Sequence, residues 1–369
     1  MSPRANPPAI SVAIVAWNSA RWLPSCLDSV AAQSLPPLDV VVLDNASADD
    51  GARIAGAHPA VTRVERSASN TGFAGGQNRA IRATRGDWVL TLNPDVVLEP
   101  DFLERLGARA ASLEAAVPEG ARASAGGGPP EGAPAEAPGT PARGAASTYG
   151  AEAPARVGTL CGKLRRLLPD LSRADPPTLD STGIVFRRDF RHLDRGSGEV
   201  DRGQWDREEE VFGATAAAAL YRRAMIEDVS VDGEFFDEAF FAYREDADVA
   251  WRAQLLGWGC LYVPGAVGYH VRSVLPERRR EVPAVLNRHS VKNRFLMRIK
   301  NADAAVWRRC GLRGLLRDAA VVGGCLAGEW SSLPAFADVA RLWPRARRQR
   351  AWIQARRRRG GAEIARWFA

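Results

Sequence analysis

The stretch FFDEAFFAYREDADVAWRAQLLGW (235–258) concentrates more potential chemistry than any other part of the chain. Glu245 and Asp246 lie where an aromatic segment meets a run with helical spacing, and a helix N-terminus stabilises carboxylates through its dipole. That pattern suits plain N-terminal helix chemistry; with so many aromatics around it, it also suits the wall of a cleft. Asp248 and Arg252 are four apart and can pair on one helix face. Val249, Trp251 and Leu255 have the spacing of a core stripe.

Three further groups are candidates. Asn93-Pro94-Asp95 follows the apolar run WVLTL, and a carboxylate at that point can bind Mg²⁺ or Mn²⁺, sharing the remaining positions with water and phosphate. The same tripeptide is also a common turn. Asp44 ends another apolar run in VVVLDNASADDG, where it can accept hydrogen bonds from a nucleotide base or ribose or serve as a turn or cap residue. SNTGFAGGQNRAI (69–81) is a glycine-rich loop entering a helix, a combination that lets a backbone approach a diphosphate. Its glycines, Gly72, Gly75 and Gly76, fit neither GxGxxG nor a P-loop, so an ordinary strand-to-helix connection is the alternative. His270 ends the segment VPGAVGYH and by itself reads as structural.

These residues need elements to hold them. SVAIVAW (11–17), DVVVLD (39–44), VTRVERS (61–67) and DWVLTLN (87–93) read as buried strands, with helices expected over 20–33, after Ala48 and over 75–84. Strands alternating with helices imply right-handed crossovers and a mainly parallel sheet, with ligands at the strands' carboxyl ends. Trp17-Asn18, Asp44-Asn45 and Asn93-Pro94-Asp95 all fall at such ends. Further on, 181–188 reads as a strand, 246–256 as a helix, and 260–263 and 266–270 as two short strands.

The chain has 369 residues, 46% hydrophobic and 25% charged, as expected of a globular protein of about two domains. No apolar run reaches the roughly 20 residues that span a bilayer, and MSPRANPPAI lacks the layout of a secretory signal. Five scattered cysteines without a CxxC pair fit a reducing cytosol. Residues 115–155 are Ala, Gly, Pro and Glu with almost no large apolar side chain, a composition expected to stay disordered. From Arg278 onward there are 22 Lys and Arg against 6 Asp and Glu, a balance of +16, leaving residues 1–277 at −9 within a total of +7.

Taken in order, VAIVAWNS, VVVLDNASADDG, NTGFAGGQN, LTLNPDV, FGATAAAALYRR, FDEAFFAYREDADVAWR and the closing His270 resemble the family 2 glycosyltransferases, inverting enzymes with the GT-A fold, and among them the rhamnosyltransferase-like branch. The resemblance spans residues 10–300. It implies an α/β domain over residues 1–300; beyond it, composition alone reads as a basic, Trp-rich helical extension over 301–369. The resemblance also implies Asp246 as catalytic base, taking a proton from an acceptor hydroxyl that attacks the anomeric carbon. Asp95 and His270 become the ligands of a divalent cation, Mg²⁺ or Mn²⁺. The nucleotide-diphospho-sugar donor, with dTDP-rhamnose favoured, falls to Asn18, Asp44, Asn45 and the loop residues Asn70, Gly72, Phe73, Gly76 and Asn78. Asn93, Glu245 and Arg252 complete the expected substrate contacts. Asn93 departs from the family's DxD, bringing an amide where the first acid stands.

Two other classes fit less well. A sugar-1-phosphate nucleotidyltransferase carries its glycine-rich signature directly after the first strand, where this chain has Trp17-Asn18-Ser19. A nonenzymatic nucleic-acid binder could use the Arg356–Arg359 run, but the preceding 277 residues are acidic. The basic extension instead interleaves Arg308, Arg309, Arg345, Arg347, Arg348 and Arg356–Arg359 with Trp307, Trp343, Trp352 and Trp367, a mixture suited to an anionic membrane surface. A saccharide or lipid-linked acceptor and a cytoplasmic location peripheral to the membrane are therefore expected.

Overall fold

A computed structural model describes residues 8–116, 156–272 and 284–369. The expected disordered insertion falls, from residue 117 on, outside the described residues. The chain runs β1 (Ile10–Ala16), α1 (Leu23–Ala31), β2 (Asp39–Asp44), α2 (Gly51–Ala57), β3 (Arg63–Arg66), α3 (Gly72–Ala83), β4 (Trp88–Leu92), β5 (Val96–Leu98) and α4 (Phe102–Ala115). Then follow β6 (Val157–Arg166), β7 (Leu179–Ser181), β8 (Ile184–Phe186), β9 (His192–Asp194), β10 (Glu209–Val211), β11 (Ala218–Arg222), α5 (Arg223–Val229), α6 (Glu245–Leu255) and β12 (Gly259–His270). Four helices close the chain: α7 (Ala284–Asn301), α8 (Ala304–Ala327), α9 (Pro334–Ala355) and α10 (Gly361–Ala365).

The main sheet has the order β10-β12-β6-β11-β4-β1-β2-β3, with β5 added on β12 and β7 on β6. Strands β3, β2, β1 and β4 are parallel, as the alternation of strands and helices predicts. β11 then enters antiparallel between β4 and β6, so the whole sheet is mixed rather than mainly parallel. No local pattern in the sequence sets that direction. The two short strands expected over 260–270 are one strand, β12, whose pairing with β6 slips between Tyr262 and Val267. Pro264 sits in that slip, where a strand tolerates a residue with no amide donor.

Alternation along β1 divides the interior. Val12 and Ile14 join Leu23, Leu27, Phe102 and Leu106 on one face. Ala13 and Val15 join Ala80, Ile81, Trp251 and Phe240 on the other. Both faces are covered, which is why these strands read as continuous apolar runs.

The boundary expected at residue 300 is not a boundary of the core. Leu296, Met297, Ile353, Ile364 and Phe368 belong to the same buried cluster as Ala13 and Trp251. Phe368 stacks within 5.0 Å of both Phe186 and Trp251. Ala369 then closes a short ladder, its amide donating to Phe186 O at 3.0 Å and its carbonyl accepting from Arg188 N. Much of the basic charge is answered within the fold. Arg345 meets Glu234 and Asp237, Arg356 and Arg358 meet Asp228, and Arg357 meets Asp303.

Candidate active site

The carboxyl ends of β1, β2 and β4 lie together, because Ala16 pairs with Asp44 and Ile14 with Leu92. At this edge Trp17 leaves half its surface open. Asn18 takes a left-handed conformation (φ 50°) and its Oδ1 accepts from Ala48 N at 2.8 Å. Asp44 is nearly buried, with Oδ1 accepting from Ser47 N at 3.2 Å.

Next to them, Asp95 follows β4 and is joined to the end of β12 by a bond from Val271 N to Asp95 O of 3.0 Å. This brings His270 Nε2 to 3.4 Å from Asp95 Oδ1. The other ring nitrogen, Nδ1, lies 2.8 Å from Asp180 Oδ2 on β7. Burial works against charge on His270, but Asp95 and Asp180 outweigh it and raise its pKa to about 10. Arg272, two residues on, binds Asp180 Oδ1 at 3.3 Å and reaches Asp194 on β9.

Asp246 joins this cluster through β11. Asn93 N donates to Ala217 O; the next residue back, Ala216, has its amide near enough to the Asp246 carboxylate to favour its charged form, and Ala247 N donates to that carboxylate at 2.7 Å. Burial first, and the Asp194 charge second, push the Asp246 carboxyl up to about 6; the two amides and Arg272 oppose that rise. A carboxylate with such a pKa is ionised at neutral pH yet basic enough to accept a proton. Its neighbour Glu245 is buried, with Oε2 lacking a protein partner, and burial together with Asp246 raises its pKa well above the ordinary range.

The backbone before α6 is held in an uncommon form. Phe241, Tyr243 and Arg244 all have positive φ (67°, 70° and 73°), which costs a non-glycine residue free energy and clusters at functional sites. Asn293 Nδ2, from α7, holds the segment by donating to the carbonyls of Phe240, Ala242 and Tyr243. Arg244 donates to His192 at 3.0 Å. Burial and the arginines around it keep His192 well below its usual pKa.

Several expected substrate contacts are corrected. Asn45 Oδ1 accepts from Thr71 N and Oγ1, and Nδ2 donates to Asn70 Oδ1 and Gly72 O; Asn70 Oδ1 also accepts from Gly72 N. Asn45 thus clamps the loop with both ends of its amide, and Asn70 joins the clamp through Oδ1. Asn78 is buried, its amide bracketing Phe236 O and N at 2.7 and 2.8 Å. Arg252 is buried against Asp248 at 3.0 Å and donates to the carbonyls of Val229 and Phe235. Phe73 packs edge-on against Phe236. Gly76 lies against β1, where a Cβ would come within 2.8 Å of Val15. The start of α3 faces protein rather than an open phosphate site, since Ala74 N donates to Phe241 O at 3.1 Å. Gly72 (φ 75°) allows that approach: a Cβ there would sit 2.7 Å from the Phe241 ring.

Asn18, Asp44, Asn93, Asp95, Glu245, Asp246 and His270 remain around one edge. Asp180, Asp194, His192 and Arg272 join them without any signal in the sequence, since each lies in a short, unremarkable segment. A divalent cation fits the donors present. Asp95 supplies an anionic oxygen and His270 an imidazole oriented by Asp180, the usual support for a metal-bound histidine. Their donor atoms stand 3.4 Å apart, and together they would offer a divalent cation one oxygen and one nitrogen donor. No group of three or more His, Cys, Asp or Glu side chains able to hold a metal ion occurs among the described residues. The cation would replace the Nε2 proton of His270.

Known proteins share part of this sequence and the fold that carries it. Residues 11–171 match the model of Glycosyl transferase family 2. Chondroitin synthase of Escherichia coli is 34% identical over 101 residues, covering 26% of this chain and 14% of that protein. Succinoglycan biosynthesis protein ExoO of Rhizobium meliloti (strain 1021) is 35% identical over 112 residues, 28% of this chain and 32% of its own length. The chain thus matches less than a third of either relative. Among solved structures, GalNAc-T7 with UDP, GalNAc and Mn²⁺ superposes with a TM-score of 0.54 at 11% identity, covering 82% of this chain and 50% of that one. S. aureus TarS 1–349 in complex with UDP-GlcNAc gives 0.52 at 16% identity, with 97% and 89% covered. The likeness to these two structures identifies the GT-A fold. The match to the Glycosyl transferase family 2 model, over residues 11–171, lies within this fold.

Proposed function

We propose that this chain is an inverting glycosyltransferase that moves a sugar from a nucleoside-diphosphate donor to an acceptor hydroxyl. The observation that carries the reading is that Arg272 ties the two halves of the site together: it pairs with Asp180, which holds His270 beside Asp95, and its charge acts on Asp246. Asp246 accepts the acceptor's hydroxyl proton as that oxygen forms its bond to the anomeric carbon. The bond from that carbon to the diphosphate oxygen breaks, its electron pair leaves with the nucleoside diphosphate, and the centre inverts. Asp95 and His270 would hold a divalent cation, whose role is to offset charge on the leaving diphosphate. Trp17 offers an open ring to the base, and Asp44 and Asn18 offer acceptors to base or ribose. Arg272 and Asp194 set the field at Asp246.

The donor we favour is dTDP-L-rhamnose, on the resemblance of the motifs to that branch, and the acceptor is a saccharide or lipid-linked hydroxyl. Relatives named for chondroitin and succinoglycan synthesis support a role in polysaccharide assembly. We read the protein as cytoplasmic, a reading supported by five scattered cysteines without a CxxC pair. Incubation with dTDP-, UDP- and GDP-sugars and Mn²⁺, followed by an assay for released nucleoside diphosphate, tests the activity. Release from at least one donor, abolished in Asp246→Asn, is expected. No release from any donor would defeat the proposal, and release from UDP- or GDP-sugars alone would remove rhamnose from it.

A further inference from the structure

Helix α8 is apolar on two opposite faces. Its inner face is spent on the fold. Val306, Cys310 and Cys325 are buried, and Gly314 packs so closely that a Cβ would come within 2.6 Å of the Phe190 ring. Its single acid, Asp318, pairs with Arg294 at 3.0 Å and Arg298 at 2.7 Å. On the outer face Leu312, Leu315, Leu316 and Leu326 are 74%, 61%, 64% and 60% exposed, and Trp330, just past the helix end, is 70% exposed. At 100° per residue these four leucines and Val322 fall on one stripe. Arg308 lies on that stripe at the first turn and Arg313 at its border. Neither pairs with an acid among the described residues, in contrast to the arginines of 345–359 that the fold neutralises.

We propose that the outer face of α8 docks the protein on an anionic phospholipid surface, lying in the headgroup plane with its leucines among the acyl chains. Three observations select this occupant. The stripe combines apolar residues with cations and carries no carboxylate, so it complements a surface that is both apolar and negative. A second copy of the same face would bring arginine towards arginine with no acid to meet it. The helix is about 36 Å long at 1.5 Å per residue, long enough to present the whole stripe to a surface, and no helix among the described residues is long and apolar enough to cross a membrane. The arginine and tryptophan interleaving of 341–367 is not the docking device: Ile353 and Phe368 are core, and Arg345, Arg356 and Arg358 are bound to the body.

The test is flotation of the full chain with vesicles of phosphatidylcholine alone and of an equimolar mixture with phosphatidylglycerol. Binding to the anionic vesicles only, weakened by salt, is expected. The variant Leu312→Glu/Leu316→Glu should lose it, and Arg308→Gln/Arg313→Gln should weaken it about fivefold per arginine removed. Both variants change exposed side chains, so their circular dichroism and melting should match the parent. Absence of binding to anionic vesicles, or equal binding by parent and the leucine variant, overturns the proposal. So does a dimer in sedimentation that the leucine variant dissociates while vesicle binding is absent, which would assign the face to a second copy. None of these readouts requires sugar transfer, so failure here leaves the proposed activity untouched.

Discussion

Asp180 Oδ2 stands 2.8 Å from His270 Nδ1, and the opposite ring nitrogen faces Asp95 across 3.4 Å. The two carboxylates come from β7 and from the turn after β4, 85 residues apart in sequence, and meet only because β12 ends between them. Asp180 fixes the imidazole plane, and Arg272 in turn holds the other oxygen of Asp180.

From this follows the expected behaviour of Asp180→Asn. The Mn²⁺ concentration giving half-maximal activity should rise about 10–100-fold, while the rate at saturating Mn²⁺ falls far less. Metal titrations of activity check it. An unchanged metal dependence would mean that His270 needs no such support.

Asp246 must be ionised to accept a proton. Because burial and then Asp194 raise its pKa to about 6, kcat/KM should climb with pH through about 6 and level off above it. Asp194→Asn removes a like charge and frees Arg272, both of which lower the Asp246 pKa, so the rising limb should move to lower pH. Asp246→Asn should lower kcat by about 10²–10⁴-fold. A pH profile of the two variants beside the parent decides both points.

Gly72→Ala forces a Cβ into a left-handed position and against the Phe241 ring. We expect a cost of about 1–3 kcal/mol in urea denaturation. Because the neighbouring segment 241–244 leads directly into Glu245 and Asp246, kcat should drop as well. Stability and rate both unchanged would show that the loop relaxes freely.

Phe368 is buried against Phe186, Trp251 and Phe212. Phe368→Ala should destabilise the whole protein by about 3–5 kcal/mol, seen as one cooperative transition at lower urea. A separate early transition, leaving the rest intact, would restore residues 301–369 to the status of an appendage.

Much of the architecture was legible along the chain. The runs SVAIVAW and DVVVLD became β1 and β2, and the glycine-rich loop did enter a helix, α3. Asp44, Asp95 and Asp246 could be singled out because each sits at an abrupt change of pattern, apolar run to polar residue or aromatic segment to helix, whereas His270 reads as structural by itself and enters only through the resemblance. Asn78 and Arg252 misled for the same reason. Their setting resembles a site, but their hydrogen-bonding groups are consumed by carbonyls at Phe236, Val229 and Phe235.

The sequence by itself determined the strands and helices of the first ninety residues, the strand ends that bear polar residues and the excess of charge after Arg278. These follow from periodicity and composition, which backbone geometry turns into local structure within a few residues. Only the tertiary structure decided that β11 runs antiparallel through the sheet, that Asp180 and Arg272 stand behind His270, and that Asp194 presses on Asp246. It also decided which arginines are neutralised and which face of α8 stays open. Those outcomes depend on pairing between segments far apart in the chain, where a side chain's partner is set by the packing of whole layers and leaves no trace in its own neighbourhood.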